Sequence, residues 1–210
     1  KNFDIQSIDS FLEIIKNTPN LVGMNITIPY KEQVIPFLDK LSKKATKIGA
    51  VNTIRITKKG KLKGYNTDYY GFKKSIKPLL KEHHKKALIL GTGGASKAVA
   101  YALRKLKIEY DFVSRTPDEF QFDYADLNAE VFEEYHIIIN TTPVGTHPNV
   151  EDFPNLDYSL FTKKHIAYDL VYNPEETAFL KKAKEQGAKT KNGYDMLVFQ
   201  AEKAWKIWNE

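Results

Sequence analysis

A lysine just beyond a proline, a glycine-rich turn and an arginine between two hydroxyls are the residues here whose types and spacing could do chemistry. Lys31 stands in "GMNITIPYKE" (residues 23–32), after the apolar run Leu21 to Ile28 that reads as a β-strand. Pro29 cannot donate a ladder hydrogen bond, so the strand is predicted to end at or before it. Lys31 then falls just past a strand's carboxyl end, where open α/β sheets bind ligands. "GTGGAS", Gly91 to Ser96, directly follows the apolar strand "ALIL" and opens a helix carrying Ala95, Ala98 and Ala102. In that strand, turn and helix setting Gly91, Gly93, Gly94 and Ala95 let backbone amides approach a pyrophosphate, whose charge the helix N-terminus also favours. The G-K-[ST] ending of a Walker A loop is absent. At the end of the next strand an acidic residue would hydrogen-bond a ribose 2′-hydroxyl, whereas a cation would pair with a 2′-phosphate. Ser114, Arg115 and Thr116 stand there, so the expected cofactor is NADP rather than NAD. Asn140-Thr141-Thr142 ends a further strand on the same side, which puts Thr141 in reach of nicotinamide or ribose.

The elements that must position these residues alternate along the chain. Ile8, Phe11, Leu12 and Ile15 recur at i, i+3, i+4, i+7 and predict an amphipathic helix before the Lys31 strand. Residues 31–48 look helical with an interruption at Pro36, and "VNTIRITKKGKLKGYNTD" reads as two short strands around Lys59-Gly60. "DYYGFKKSIKPLL" follows as a helix capped by Thr67 or Asp68, ending in a connection rich in lysine and histidine at residues 81–86. From residue 87 strands and helices alternate regularly: "ALIL", "IEYDFVSRT", "HIIINTTPVG" and "HIAYDLVY" are strands, and "ETAFLKKAKEQG" is a helix closed by Gly187. That alternation predicts a parallel, doubly wound sheet. The last segment, "GYDMLVFQAEKAWKIW", is a helix with Leu197, Ala201, Ala204, Trp205 and Trp208 on one face, expected to pack back on the first domain. The fold class is therefore α/β, with two domains.

Bulk composition narrows the function. Among 210 residues 42% are hydrophobic, enough for a sizeable core, and no apolar run nears the roughly 20 residues that span a bilayer. A soluble protein with no membrane partner is expected. The net charge of +6 could suggest nucleic acid, but Arg55, Arg104 and Arg115 are the only arginines among 32 basic residues. Base readout favours arginine forks, so diffuse lysine is read as a solvated surface, with no nucleic-acid partner. Without cysteine there is neither a disulfide framework nor a thiolate metal site, and a reducing cytosol is permitted. His83, His84, His136, His147 and His165 show no ligand spacing with carboxylates, so no metal is expected. No Ser-His-Asp set carries a nucleophile elbow, so hydrolysis has no support.

Read in order, "NITIPYKE" (25–32), "IGAVNTI" (48–54), "GYNTDYYGF" (64–72), "GTGGAS", "VSRT", "NTTPVG" (140–145), "DLVYNP" (169–174) and "GYDMLVFQA" (193–201) together resemble shikimate dehydrogenase over nearly the whole chain. The resemblance implies NADPH-dependent reduction of 3-dehydroshikimate to shikimate, a cytoplasmic step of aromatic amino-acid biosynthesis. It implies a substrate domain of residues 1–67 with 193–210 and a Rossmann-type NADP-binding domain of residues 68–192. Lys31 and Asp68 match the family's catalytic pair, meeting across a cleft. Thr27, Asn52 and Gln200 match residues that hold substrate hydroxyls. Tyr172 matches a tyrosine near substrate and nicotinamide, and Gly193 and Met196 match positions beside the nicotinamide ring. The partner is then a small-molecule substrate, and a homodimer is one assembly the resemblance allows. Hydride transfer to a ketone leaves an alkoxide to protonate, which requires a group that both donates and accepts. Burial favours a neutral lysine amine and a neighbouring carboxylate favours the ammonium; which effect wins is open.

Plainer roles compete for several of these residues. Asp68 could serve as an N-cap, Asn52 could pair with backbone in a turn, and Gln200 could be an ordinary exposed glutamine. Shikimate dehydrogenases usually begin with a strand and a serine-bearing loop that grips the substrate carboxylate. Nothing of that kind precedes Lys1 to Ile5, so either this sequence omits the beginning of its first domain or the protein lacks that grip. Two rival functions remain: a broader quinate/shikimate dehydrogenase, and an NADP-binding sensor without turnover. A sensor has no need of an acid–base pair.

Overall fold

A computed structural model describes all 210 residues. They form two compact units, Lys1–Thr67 with Ala201–Glu210, and Asp68–Gln200. Residues 193–200 thus group with the second unit, whereas the sequence expectation sets them with the first.

In the first unit the helix α1 (Phe11–Lys16) continues a 3-10 turn at Ile8–Ser10, and a sheet is built from β1 (Gly23–Asn25), β2 (Lys40–Leu41), β3 (Thr53–Ile56) and β4 (Leu62–Tyr65) in the order β1-β3-β4-β2. β1 with β3 and β3 with β4 are antiparallel, and β2 joins β4 in parallel. The helix α2 (Lys43–Ile48) starts where the Ser42 hydroxyl accepts the Ala45 N–H at 3.2 Å and stops at Gly49, whose φ of 75° suits a residue without a β-carbon. Phe11, Val34, Ala45, Val51, Ile54 and Leu62 form the core. The terminal segment docks through Trp208, whose Nε1 donates to the Ile54 carbonyl at 2.9 Å.

The second unit begins with α3 (Asp68–Ile76) and continues through β5 (Lys86–Leu90), α4 (Gly94–Leu106), β6 (Glu109–Ser114), β7 (Gln121–Asp123), α5 (Ala129–Glu134), β8 (Ile137–Asn140), β9 (Ile166–Asp169), α6 (Ala178–Glu185), β10 (Lys189–Lys191) and the start of α7 (Tyr194–Trp208), whose residues from Ala201 on belong to the first unit. All six strands are parallel, in the order β10-β9-β8-β5-β6-β7. Chain order reverses between β5 and β8, the switch point where such sheets bind ligands. β8 and β9 are buried along their whole length, as their unbroken apolar runs require of strands covered on both faces.

Three sequence expectations are corrected. The strand predicted over 21–28 is β1 alone, ending at Asn25, because after one more bond from the Ile26 N–H to the Asn52 carbonyl the backbone turns at Thr27–Tyr30. Residues 31–48 are not an interrupted helix: turns lead into a 3-10 segment at Ile35–Phe37, then β2 and α2. On α7 the buried positions are Met196, Ala204 and Ile207, while Trp205 is 65% exposed and Ala201 is also exposed.

Candidate active site

Within the first unit, backbone hydrogen bonds tie together the stretches that carry three candidates. The Ile26 N–H, next to Thr27 in the chain, donates to the Asn52 carbonyl at 2.9 Å. Lys31 lies in the turn that follows β1, and its carbonyl accepts the Val51 N–H at 2.7 Å, one residue from Asn52. The Tyr30 hydroxyl pins the same turn to the Ile5 carbonyl at 2.8 Å. Asn52 is buried, with its Oδ1 accepting the Thr67 N–H at 2.6 Å and its Nδ2 donating to the Thr67 hydroxyl at 3.0 Å. Asn52 therefore fixes the residue immediately before Asp68. Thr27 is exposed and its hydroxyl reaches the Ile28 carbonyl at 3.4 Å.

In the second unit, Asp68 is the first residue of α3 and is 5% exposed. Gly91 leaves β5 with φ of 97°, a left-handed turn that L side chains resist. The next element has an N-terminus prepared for an anion: Gly93 caps the 13-residue α4 with no side-chain hydrogen bond, and a β-carbon at Gly93 would meet nothing within 4 Å. The first amides of α4 thus carry no side-chain cap, and the space beside Gly93 is open. Thr141 closes the turn from the β8 side, its N–H and hydroxyl both donating to the Leu90 carbonyl, at 3.0 and 2.6 Å. Thr141 is thereby spent on holding the two strand ends together.

Arg115 follows the last residue of β6 and is exposed, with the Thr116 N–H donating to the Ser114 hydroxyl at 3.2 Å. Burial raises the Tyr124 phenol and the Arg115 guanidinium pulls it the other way, so the cation sits near that ring. The uncapped amides of α4 and a cation at the end of β6 fit the pyrophosphate and 2′-phosphate of NADP.

The remaining candidates border the ends of β8 and β9. Tyr172 is 47% exposed and directly follows buried Val171. The Gly193 N–H donates to the Val171 carbonyl at 3.0 Å, and a β-carbon on Gly193 would lie 2.0 Å from the Leu170 carbonyl oxygen, so only glycine permits this approach. Met196 is buried, and Gly71 on α3 lets the Met196 carbonyl and the Gln200 backbone come close. Gln200 donates from its Nε2 to the Leu197 carbonyl at 3.0 Å.

Sequence reasoning passed over Asp169, which is fully buried at the end of β9 and accepts from Asn140, Val171 and Thr177. Burial pushes its carboxyl up to about 6 against those three hydrogen bonds. The signal was present in "HIAYD": a carboxylate closing an otherwise apolar central strand has to find donors.

Comparison with known proteins fits this arrangement. Residues 1–54 match the family described as shikimate dehydrogenase substrate binding domain. A shikimate dehydrogenase (NADP(+)) of Carboxydothermus hydrogenoformans is 44% identical over 204 residues, covering 90% of this chain and 72% of that protein. The crystal structure of the Aquifex aeolicus shikimate dehydrogenase aligns with a TM-score of 0.84 at 39% identity, covering 97% of this chain and 78% of that one. Shikimate 5-dehydrogenase from Thermus thermophilus, solved in complex with NADP(H) and shikimate, aligns with a TM-score of 0.83 at 34% identity, covering 98% of this chain and 79% of that one. Identity at this level over so much of both chains reaches beyond a shared fold: the chain belongs to the shikimate dehydrogenase family.

Proposed function

We propose that the protein catalyses the reversible NADPH-dependent reduction of 3-dehydroshikimate to shikimate. The observation that carries the reading is its 44% identity with an NADP(+)-dependent shikimate dehydrogenase, supported by the uncapped start of α4 at the sheet's switch point. When bound, NADPH supplies the hydride that reduces the substrate's carbonyl carbon. Lys31 donates the proton that turns the carbonyl oxygen into a hydroxyl, and takes it back in the oxidation. Asp68 orients the Lys31 ammonium. Thr27, Asn52, Tyr172 and Gln200 hold the substrate's oxygens, with Asn52 also fixing Thr67. The amides around Gly91, Gly93, Gly94 and Ala95 take the pyrophosphate; Ser114, Arg115 and Thr116 take the 2′-phosphate; Thr141, Gly193 and Met196 border the nicotinamide. The same reading sets the enzyme in the cytoplasm, where NADPH is available, and includes a homodimer, which light scattering tests by a mass twice that of the chain. No helix is long and apolar enough to cross a membrane.

Absorbance at 340 nm with shikimate and NADP, beside parallel reactions holding NAD or quinate, tests the activity. Lys31→Ala is expected to lower kcat by about 10²-fold or more while NADP still binds, the loss typical of a removed general acid. Turnover at the parent rate in that variant overturns the role of Lys31. A preference for quinate overturns the substrate.

A further inference from the structure

The one fully buried carboxylate at the ligand end of the parallel sheet has no part in the chemistry above, yet it joins the segments that border the nicotinamide. Asp169 Oδ1 accepts from Asn140 Nδ2 and from the Val171 N–H, both at 3.0 Å, and Oδ2 accepts from the Thr177 hydroxyl at 2.6 Å. Asn140 Oδ1 in turn accepts the Thr142 N–H at 3.0 Å and the Thr142 hydroxyl at 2.6 Å. Thr142 packs against Gly91, where a β-carbon would lie 2.9 Å from its Cγ2. On the other side the Val171 carbonyl accepts the Gly193 N–H. An unbroken series of contacts therefore runs from the glycine turn through Thr142, Asn140, Asp169 and Val171 to Gly193.

We propose that Asp169 is a positioning residue for the nicotinamide side of the site, holding the turn after β8 and the turn after β9 in one register. The proposal rests on the reading above for the cofactor's identity. Three donors converge on this side chain, and only a carboxylate accepts from all of them without offering a competing N–H. Thr177 also starts α6, its hydroxyl accepting the Leu180 N–H at 3.4 Å, so the same carboxylate sets where that helix begins. Asparagine can keep the register by turning its Oδ1 to Asn140 and Val171 and its amide to the Thr177 oxygen. Alanine leaves the Val171 N–H and the Thr177 hydroxyl buried without partners, while Asn140 Nδ2 keeps a longer bond to the Val144 carbonyl at 3.4 Å. The titratable groups that feel Asp169 are Tyr158 and Tyr168, both raised by burial and so neutral across the working range.

The test compares the parent chain with Asp169→Asn and Asp169→Ala in three measurements. Hydrogen exchange without cofactor is expected to quicken at residues 141–145 and 170–172 in Asp169→Ala and to stay near the parent in Asp169→Asn. NADPH titration is expected to give an affinity within about threefold of the parent in Asp169→Ala, because the 2′-phosphate end is held elsewhere, with most of the bound nicotinamide's fluorescence enhancement lost. Turnover is expected to fall about tenfold or more in kcat for Asp169→Ala, with asparagine restoring most of it. A lower melting temperature in Asp169→Ala with unchanged exchange in those turns, fluorescence and kcat overturns the proposal. A parent chain that leaves shikimate untouched counts against the proposed reaction alone, since exchange and fluorescence still decide the role of Asp169.

Discussion

Two glycines in this structure do opposite jobs, and their alanine variants separate stability from binding. At Gly193 an added β-carbon would lie 2.0 Å from the Leu170 carbonyl oxygen, a rigid backbone atom. The neighbouring segment would have to move and the bond from the Gly193 N–H to Val171 would be lost. Gly193→Ala is expected to cost about 2–4 kcal/mol, near the upper range for overpacking, and to lower the melting temperature by roughly 5–12 °C. At Gly93 the added carbon meets nothing within 4 Å. Gly93→Ala is therefore expected to melt within about 2 °C of the parent and to weaken NADP binding, because the new methyl group occupies the approach of the pyrophosphate. Calorimetry and NADPH titration on both variants check the pair. Equal melting losses would contradict the open space at Gly93. Asn52 illustrates a residue whose type was legible and whose work was not: sequence order hid that its side chain meets Thr67, fifteen positions later.

At the scale of elements, β6 ends at Ser114 and delivers Arg115 to solvent, where the proposed pairing with a 2′-phosphate would favour NADP. A cation paired with a 2′-phosphate makes charge-assisted hydrogen bonds, and their loss typically costs about 1.5–3 kcal/mol. Arg115→Ala is thus expected to raise KM for NADP by roughly 10- to 100-fold and to change KM for NAD by less than about threefold. Steady-state kinetics with both cofactors check this; a parallel rise for NAD would assign Arg115 to general stability of the strand end. β5, α4, β8 and α6 were legible because each combines a strong apolar period with a glycine or a capping residue. β7 and β10 were not: "QFD" and "KTK" carry no alternation of their own and form by pairing with β6 and β9. α5 is a six-residue helix whose one buried side chain, Phe132, is too little for a periodic signal. On α7 the helix was legible and its register was not, because Trp205 looks like a core residue and is exposed, whereas Ala204 and Ile207 are the buried positions.

Across the whole chain, stability in acid is governed by histidines held neutral and opposed by Asp169. His84 is 6% exposed: its Nδ1 accepts the Lys81 N–H at 2.8 Å, which leaves Nε2 to donate to the Lys164 carbonyl at 3.0 Å. His165 is bound the same way, with Nδ1 accepting from the Thr162 N–H at 3.0 Å and Nε2 facing the Phe132 carbonyl at 2.9 Å. A second proton would set an N–H against the N–H already donating to each ring. The rings also crowd one another, with His83 4.1 Å from His84 and His136 5.3 Å from His165. Burial lowers His84 to about 4 and lowers His136 and His165 as well. Each depressed histidine contributes stability that is whole above its unfolded value of 6.5 and is lost as pH falls through the folded value. For His84 that loss is on the order of 2 kcal/mol after allowance for solvent screening. Asp169 has the opposite sign. Its folded value of about 6 lies above the ordinary 3.8, so the folded state takes up a proton first and gains relative stability as pH drops from 6 toward 4, by roughly 3 kcal/mol at most. The parent chain is therefore expected to lose stability only gradually between pH 6.5 and 4, with the three histidines outweighing one carboxylate. Asp169→Asn removes the opposing contribution and should steepen the fall, while His84→Gln should flatten it. Urea unfolding at half-unit pH steps on the three chains measures the slopes directly, and superimposable profiles would show that neither group is coupled to folding.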